Sequence, residues 1–177
     1  MAYFDKVKLA GYITYRYHKD KGITISPLKL QKSLYLLYGM WAGNARIVNN
    51  AIRRQYNDGS VVEFSTEFDE DLFEPNFEAW QSGPVDASIY HTYKENELKE
   101  VAHLSVLQRK KESQTGTVIE FVDDILDQTF EISDFSLIDL THKDITWSNN
   151  FTMTSCDTKI QKDQIKDEYF ERLCERY

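Results

Sequence analysis

The segment from Pro27 to Ala42 constrains the fold more than any other part of the sequence. Its apolar and aromatic residues recur at the three- and four-residue spacing of one helix face, at Leu30, Leu34, Leu37, Tyr38 and Trp41. Leu28, Tyr35 and Leu36 widen this stripe, so the helix is expected to be central in the fold rather than peripheral. Ser26 and Pro27 predict its start, because serine caps helix N-termini and proline suits the first helical position.

Gln31 and Lys32 interrupt the apolar pattern of this helix. A glutamine in such a place is usually a hydrogen-bonded core amide or an exposed side chain. Binding of a partner is the alternative interpretation of Gln31.

The stretch Phe77–Val85 is the second constraint. It begins as an apolar and aromatic run and is broken by Gly83 and Pro84, which disfavour a continuing helix. Asp86 can cap a short helix that follows. We expect a buried turn that fixes one helix against another, and a plain structural corner is the alternative.

The remaining pattern is mostly helical. Helices are predicted over Tyr3–Tyr17, with Gly22 as the left-handed residue after its end, and over Asp86–Lys94, Thr117–Thr129, Ser133–Leu140 and Asp157–Tyr177. Gly116 is interpreted as punctuation before the third of these. Residues 44–71 are expected to be irregular, with a hairpin pairing Ala51–Tyr56 with Val61–Phe64 across Asp58-Gly59. The fold class is therefore mainly α: a single compact helical domain over residues 1–177, with at most a small β-hairpin.

Charge is concentrated in one part of the chain. From Gln55 to Tyr93 there are nine acidic residues and no lysine or arginine, whereas the whole chain has a net charge of −8. Outside this span the sequence is thus almost neutral. A surface of one sign attracts partners of the opposite sign and repels nucleic acid. A solvated acidic loop that only aids solubility is the alternative.

Several classes of protein are not expected. No run of eighteen apolar residues indicates a membrane span, and the N-terminus lacks a secretory signal. Cys156 and Cys174 are expected to be free thiols in a reducing cytoplasm. The basic clusters Arg53-Arg54 and Arg109–Lys111 are short against the ~6–10 phosphate contacts of typical DNA binders, so direct nucleic-acid binding is not expected.

No catalytic or metal-binding motif is present. The four histidines make no His-Glu-x-x-His pattern, and the two cysteines lack metal-ligand spacing. No phosphate loop, dinucleotide fingerprint or nucleophile elbow occurs. We expect no enzymatic activity, no metal and no cofactor. A nucleophilic pair of Cys156 and His142 is the remaining enzymatic hypothesis, since such sites are recognised by geometry.

Four stretches, in this order along the chain, resemble the Panacea domain, a family of phage-associated and antitoxin proteins also described as SocA-like or GepA-like. They are Ile25–Tyr35, Phe73–Val85, Leu140–His142 followed by Trp147, and a closing helix around Ile165–Phe170. The resemblance implies a helical domain that binds a toxin protein and neutralises it without catalysis. In the third motif a proline commonly precedes the tryptophan, whereas this chain has Thr146 there. That departure concerns the local turn and not the family.

The resemblance assigns motif or structural roles to thirteen residues: Leu30, Gln31, Lys32, Tyr35, Phe77, Ala79, Trp80, Gly83, Pro84, Val85, Tyr90, His142 and Trp147. From the acidic run, six carboxylates are expected to contact a protein partner: Glu67, Asp69, Glu70, Asp71, Glu74 and Glu78.

The function expected first is that of a cytoplasmic antitoxin that masks a toxin through direct binding. The alternative is a phage or mobile-element inhibitor of a host defence nuclease, such as a CRISPR effector, whose acidic surface imitates nucleic-acid phosphates. A role as an adaptor for a protease is compatible with the resemblance. The sequence leaves open the partner, its contact surface and the oligomeric state.

Overall fold

The computed structural model describes residues 2–55, 71–104, 112–155 and 157–175. In this part of the chain the regular elements are seven helices and one pair of strands: α1 (Lys6–Lys21), α2 (Pro27–Gln55), β1 (Phe77–Trp80), β2 (Gly83–Asp86), α3 (Ala87–Lys94), α4 (Glu112–Glu131), α5 (Asp134–His142), α6 (Ile145–Asn150) and α7 (Lys162–Cys174). The predicted fold class, mainly α with a small β-hairpin, is confirmed. None of the described helices combines the length and apolarity needed to cross a membrane.

The predicted C-terminal end of the first helix and the predicted start of the second are confirmed. Gly22 follows α1 with φ 71°, and its N–H donates to the carbonyl of His18. The hydroxyl of Ser26 accepts from the N–H of Lys29 at 3.0 Å, which satisfies a free donor in the first turn of α2.

Helix α2 is longer than predicted. It runs on to Gln55, so the prediction of a strand over Ala51–Tyr56 is wrong for residues 51–55, which are helical. The strand predicted to pair with it, Val61–Phe64, lies outside the described residues. Residues 44–55, which were expected to be irregular, belong to this helix. The side chain of Asn44 donates to the carbonyl of Met40 at 2.8 Å. Asparagine costs less than about 0.7 kcal/mol in a helix interior, which an established helix overrides.

The predicted central position of α2 is confirmed by its burial. All five residues of the predicted stripe are at most 1% exposed: Leu30, Leu34, Leu37, Tyr38 and Trp41. The helix packs against α1, α3, α4, α5, α7 and the second strand of the hairpin. Complete burial of one such leucine stabilises the fold by about 1.5–3 kcal/mol relative to exposure.

Two glycines of α2 allow α7 to approach closely. A Cβ on Gly39 would lie 2.6 Å from the ring of Tyr169, and one on Gly43 would lie 2.7 Å from Leu173 and 2.9 Å from the main-chain oxygen of Tyr169. Tyr169 and Leu173 are buried on α7 together with Ile165, as the spacing of that helix predicted. The glycine pair therefore forms a notch into which α7 packs.

The β-hairpin lies where a helical corner was expected. Strands β1 and β2 pair antiparallel, with Phe77 opposite Asp86 and Trp80 opposite Gly83. Along β1, Phe77 and Ala79 are buried, whereas Glu78 and Trp80 are half-buried, which is the two-residue alternation of a strand with one face on the core. The break at Gly83-Pro84 is thus the start of a return strand.

Helices α3 and α5 begin as predicted, at the caps Asp86 and Ser133. Helix α6 was not predicted from the sequence. Its first two N–H groups, of Ile145 and Thr146, donate to the carboxylate of the distant Glu168 at 2.7 and 2.8 Å, so its start depends on a residue far along the chain. Gly116, which was expected to precede helix α4, lies inside it.

We predict opposite effects for two glycine-to-alanine substitutions within helices. Gly43→Ala should lower the free energy of unfolding by about 1–3 kcal/mol, because its Cβ meets the backbone of α7. Gly116→Ala, whose Cβ meets nothing within 4 Å, is the matched control. It should raise the free energy by about 0.5–1 kcal/mol through helix propensity. Urea unfolding followed by circular dichroism measures both, and equal effects would refute the notch.

Candidate functional site

A cleft of about 250 Å³ opens between the first turns of α2 and the hairpin with α3. It is referred to below as the α2–hairpin cleft, and eight residues line it: Pro27, Leu28, Gln31, Lys32, Trp80, Ser82, Val85 and Tyr90. The structure thus brings together the two stretches that the sequence singled out. Five of the eight are motif residues, whereas Pro27, Leu28 and Ser82 were not predicted to belong to a site.

Gln31 joins the two walls of the cleft. Its side-chain oxygen accepts from the N–H of Asp86 at 2.8 Å, and its side-chain nitrogen donates to the carbonyl of Asp86 at 3.3 Å. The interpretation of Gln31 as a hydrogen-bonded core amide is therefore supported. This two-bond pair extends the edge of the hairpin into helix α2.

The carboxylate of Asp86 fixes the start of α3 in the same place. It accepts from the hydroxyl of Ser88 at 2.6 Å and from the N–H of Ile89 at 3.3 Å. Lys6 of α1 neutralises it at 2.6 Å, and the Asp86 side chain is fully buried. Asp86, one of the nine acidic residues of the Gln55–Tyr93 span, is therefore part of the protein interior and not of its surface.

Lys32 is fully buried beneath the hairpin. Its ammonium donates to the carbonyl of Pro84 at 3.0 Å. Burial lowers the pKa of Lys32 to about 7, against an opposing attraction from Asp144. Gly83 has φ 102°, and a Cβ there would lie 2.6 Å from Nζ of Lys32 and 2.7 Å from Oγ1 of Thr141. The glycine is thus required both by its backbone conformation and by the lysine behind it.

A buried ion pair lies on the far side of Lys32. Asp144, also fully buried, accepts from Arg172 at 2.7 Å and from the hydroxyl of Tyr169 at 3.2 Å. Burial raises the pKa of Asp144 despite the nearby arginine. This pair was not predicted, because Asp144 has the pattern of an ordinary helix cap.

Aromatic side chains form one wall of the cleft and brace it from behind. Trp80 and Tyr90 meet edge to face with ring centroids 5.1 Å apart. The indole N–H of Trp147 donates to the carbonyl of Trp80 at 2.9 Å. His142 stacks on Trp147 at 3.9 Å, and its Nε2 lies 3.1 Å from the carbonyl of Gln81. Because a carbonyl only accepts, Nε2 of His142 carries the proton.

His142, a predicted motif residue, bonds through Nε2 to the hairpin turn. The other motif residues are core: Leu30, Tyr35, Phe77, Ala79 and Val85 are at most 4% exposed. The ring of Tyr35 packs edge to face against Phe77 and Tyr169.

The structure describes three of the six predicted partner-binding carboxylates, namely Asp71, Glu74 and Glu78. Glu67, Asp69 and Glu70 lie outside the described residues. Asp71 accepts from Lys162 at 2.9 Å and from Lys166 at 2.7 Å. Partial burial acts to raise the pKa of Asp71, but the two lysines outweigh it and the pKa is lowered. Asp71 is therefore engaged within the fold.

The other two predicted carboxylates are more accessible. The Glu74 side chain is 75% exposed and reaches Lys162 at 3.6 Å. Glu78 accepts from the indole N–H of Trp80 at 2.9 Å and so lies beside the cleft. Binding of a partner by these six residues stays a prediction.

The described residues contain no group of three or more histidine, cysteine or acidic residues placed to hold a metal ion. Cys174 is exposed and free, whereas Cys156, the partner of His142 in the enzymatic hypothesis, lies outside the described residues.

Comparison with known protein families gives one match. The family model described as "Antitoxin SocA-like, Panacea domain" matches residues 62–148, about half of the chain. The matched range holds the hairpin, α3, α5 and Trp147, whereas the α2 wall of the cleft precedes it. No curated protein and no solved structure matches the chain.

We predict that Lys32 makes stability depend on pH. Between about pH 7 and 10 the unfolded chain holds the Lys32 proton and the folded chain releases it, so stability rises with pH across this window. Lys32→Met should remove that rise. Between pH 7.5 and 9 the difference in unfolding free energy between wild type and variant should change by about 1–2 kcal/mol. Urea titrations of both proteins at the two pH values measure it.

A constant difference between the two proteins would mean that Lys32 keeps its ordinary pKa in the fold. The loss of its hydrogen bond to Pro84 affects both pH values alike and so does not imitate the effect.

Proposed function

Because the chain belongs to the SocA-like Panacea antitoxin family, we propose that it is a non-enzymatic cytoplasmic antitoxin that neutralises a toxin protein by binding it directly. The observation that carries the proposal is the α2–hairpin cleft, in which the two motif stretches build a concave surface with one wall of half-buried aromatic rings, Trp80 and Tyr90. Tryptophan and tyrosine are enriched among the residues that dominate protein–protein binding.

The size of the cleft favours a protein side chain over a cofactor or a metabolite. Pockets for small molecules usually measure about 300–1,000 Å³ and enclose most of their ligand. At about 250 Å³ the cleft is smaller, and it is open to solvent. One anchoring side chain of a larger partner suits it better than a whole cofactor does.

The cleft is also held rigidly in place. Gln31 and Asp86 join its two walls, and Trp147 bonds to the backbone of Trp80 from behind. A surface whose shape is fixed before binding loses little conformational entropy when a partner docks. Rigidity of this kind supports tight and selective binding.

The alternative, an inhibitor that imitates nucleic-acid phosphates, draws less support from the described carboxylates. Asp86 and Asp71 belong to the acidic span, but the first is paired with Lys6 and the second with Lys162 and Lys166. An ion-paired carboxylate offers little field to a basic nucleic-acid channel.

We predict stoichiometric neutralisation of a toxin encoded beside this protein's gene. Expression of the neighbouring reading frame alone should arrest growth, and co-expression of this chain should restore it. With both proteins purified, toxin activity should fall linearly and vanish near one chain per toxin, because a binder is used up and an enzyme is not. Titration of activity and size-exclusion chromatography measure this.

A harmless neighbour would remove the basis of the proposal. Complete neutralisation by a small fraction of an equivalent, with no stable complex, would replace it with an enzymatic mechanism. The matched control is the Gly116→Ala variant, which alters an exposed position remote in sequence from the cleft and should neutralise fully.

A further inference from the structure

We infer that the α2–hairpin cleft receives one aromatic side chain from a basic segment of its protein partner, with a neighbouring cation of that segment against Glu78. This inference rests on the proposed function and adds the chemistry of the contact. Four properties of the described residues support it. They are the internal hydrogen bonds of the polar lining groups, the volume of the cleft, the unbonded hydroxyl of Ser82 and the charge of Glu78.

The polar groups lining the cleft are mostly used up within the fold. The amide of Gln31 bonds to the main chain of Asp86 through both its nitrogen and its oxygen. The ammonium of Lys32 points to the carbonyl of Pro84 and is fully buried. A strongly polar ligand would lose its water in the cleft without gaining new partners, which costs free energy. An apolar group loses nothing by entering.

The volume fits a single large aromatic group. A cavity of about 150 Å³ lined by apolar side chains accommodates benzene. The cleft is larger, about 250 Å³, and its walls are the rings of Trp80 and Tyr90 with Pro27, Leu28 and Val85. Aromatic rings pack well against such walls, edge to face or offset. An indole or phenol ring therefore matches both the size and the lining.

One polar atom in the cleft remains open. The hydroxyl of Ser82 makes no hydrogen bond to another described residue, and Ser82 is half-buried at the hairpin turn. It can accept from the N–H of an indole or the O–H of a tyrosine. Such a bond would orient the ring without requiring any other polar contact.

The charge of Glu78 indicates which residues of the partner lie next to that ring. Glu78 shares the outward face of β1 with Trp80 and is held by its indole N–H at 2.9 Å. Within the described ranges it makes no ion pair. Lys94 lies 5.8 Å from the ring of Tyr90. Lys159 lies opposite Glu78 across an isolated β-bridge but makes no ion pair with it, so the Glu78 carboxylate remains available to a cation of the partner.

Three small molecules test the cleft without any toxin: indole, tryptamine and indole-3-acetate, which differ in charge but share the ring. Each is titrated into ¹⁵N-labelled protein, and the indole N–H signals of Trp80 and the buried Trp41 are followed. Indole should bind in the millimolar range and shift Trp80 but not Trp41. Tryptamine should bind more tightly than indole-3-acetate, and Glu78→Gln, which keeps an oxygen acceptor for the indole of Trp80, should abolish that preference.

A blocking variant tests the cleft against the toxin. Leu28→Trp places a ring in the cleft, and Val7→Trp adds the same ring on α1, where Val7 is 44% exposed and does not line the cleft. Leu28→Trp should weaken toxin binding at least about tenfold, whereas Val7→Trp should not change it. Circular dichroism and indole titration show whether Leu28→Trp is folded with its cleft filled.

The outcomes separate the inference from the proposed function. If the wild type binds no toxin but indole shifts Trp80 as described, the antitoxin proposal fails and the ligand chemistry of the cleft stands. If indole leaves Trp80 unmoved, or folded Leu28→Trp binds toxin like the wild type, the inference is overturned and the antitoxin proposal stands. Tighter binding of indole-3-acetate than of tryptamine would overturn the assignment of a basic segment.

Discussion

Two hydrogen bonds between the side chain of Gln31 and the main chain of Asp86 connect the central helix to everything that surrounds the cleft. On one side, Gln31 belongs to a helix whose apolar stripe is completely buried. On the other, Asp86 is at once the last residue of β2, the cap of α3 and the partner of Lys6. Loss of the amide would leave a buried donor and a buried acceptor unpaired, which costs about 1–3 kcal/mol for each group. The hairpin, α3 and α1 are therefore positioned relative to α2 through one residue pair.

Behind the hairpin, two buried charges are placed at some cost to stability. Lys32 is held by a single carbonyl, and Asp144 is held by Arg172 and Tyr169. Buried ionic groups are often no more stabilising than apolar residues of the same size, although removing one partner is strongly destabilising. Their effect is to specify one arrangement. A Cβ at position 83 would lie within 2.7 Å of both Lys32 and Thr141, so the buried lysine favours the hairpin register that places a glycine there.

Sequence patterns predicted the parts of this fold that depend on neighbouring residues. Caps such as Gly22, Ser26 and Asp86 act within a few residues of their position, and the stripe of α2 repeats locally, so each was recognised. The hairpin was misplaced because Gly83-Pro84 was taken only as a break. In the structure the same break begins a return strand whose partner alternates between buried and half-buried residues.

The features that escaped prediction depend on residues far apart in the chain. The first N–H groups of helix α6 donate to the carboxylate of Glu168, 22 residues beyond Thr146, and a partner so distant leaves no local sequence pattern. Asp144 looks like an ordinary cap and instead turns inward to Arg172. The motif predicted that Gln31 and Lys32 of α2 are important. It did not predict that Ser82 and Leu28 line a cleft, because the residues that line a cavity follow no periodic sequence pattern. What a concave surface contains is decided by which elements meet there.

The acidic span shows why charge counted along a sequence overstates charge available at a surface. Two of its carboxylates, Asp71 and Asp86, are paired with lysines that lie more than 75 residues away, on α7 and α1. Those lysines come from outside the span, so a count confined to the span misses them. Long-range attraction of a basic partner follows the net charge of −8 and survives this pairing. Contact specificity depends instead on carboxylates that make no ion pair within the fold. Among the described ones near the cleft, Glu78 meets that condition, and its hydrogen bond to Trp80 couples the charge directly to the aromatic wall.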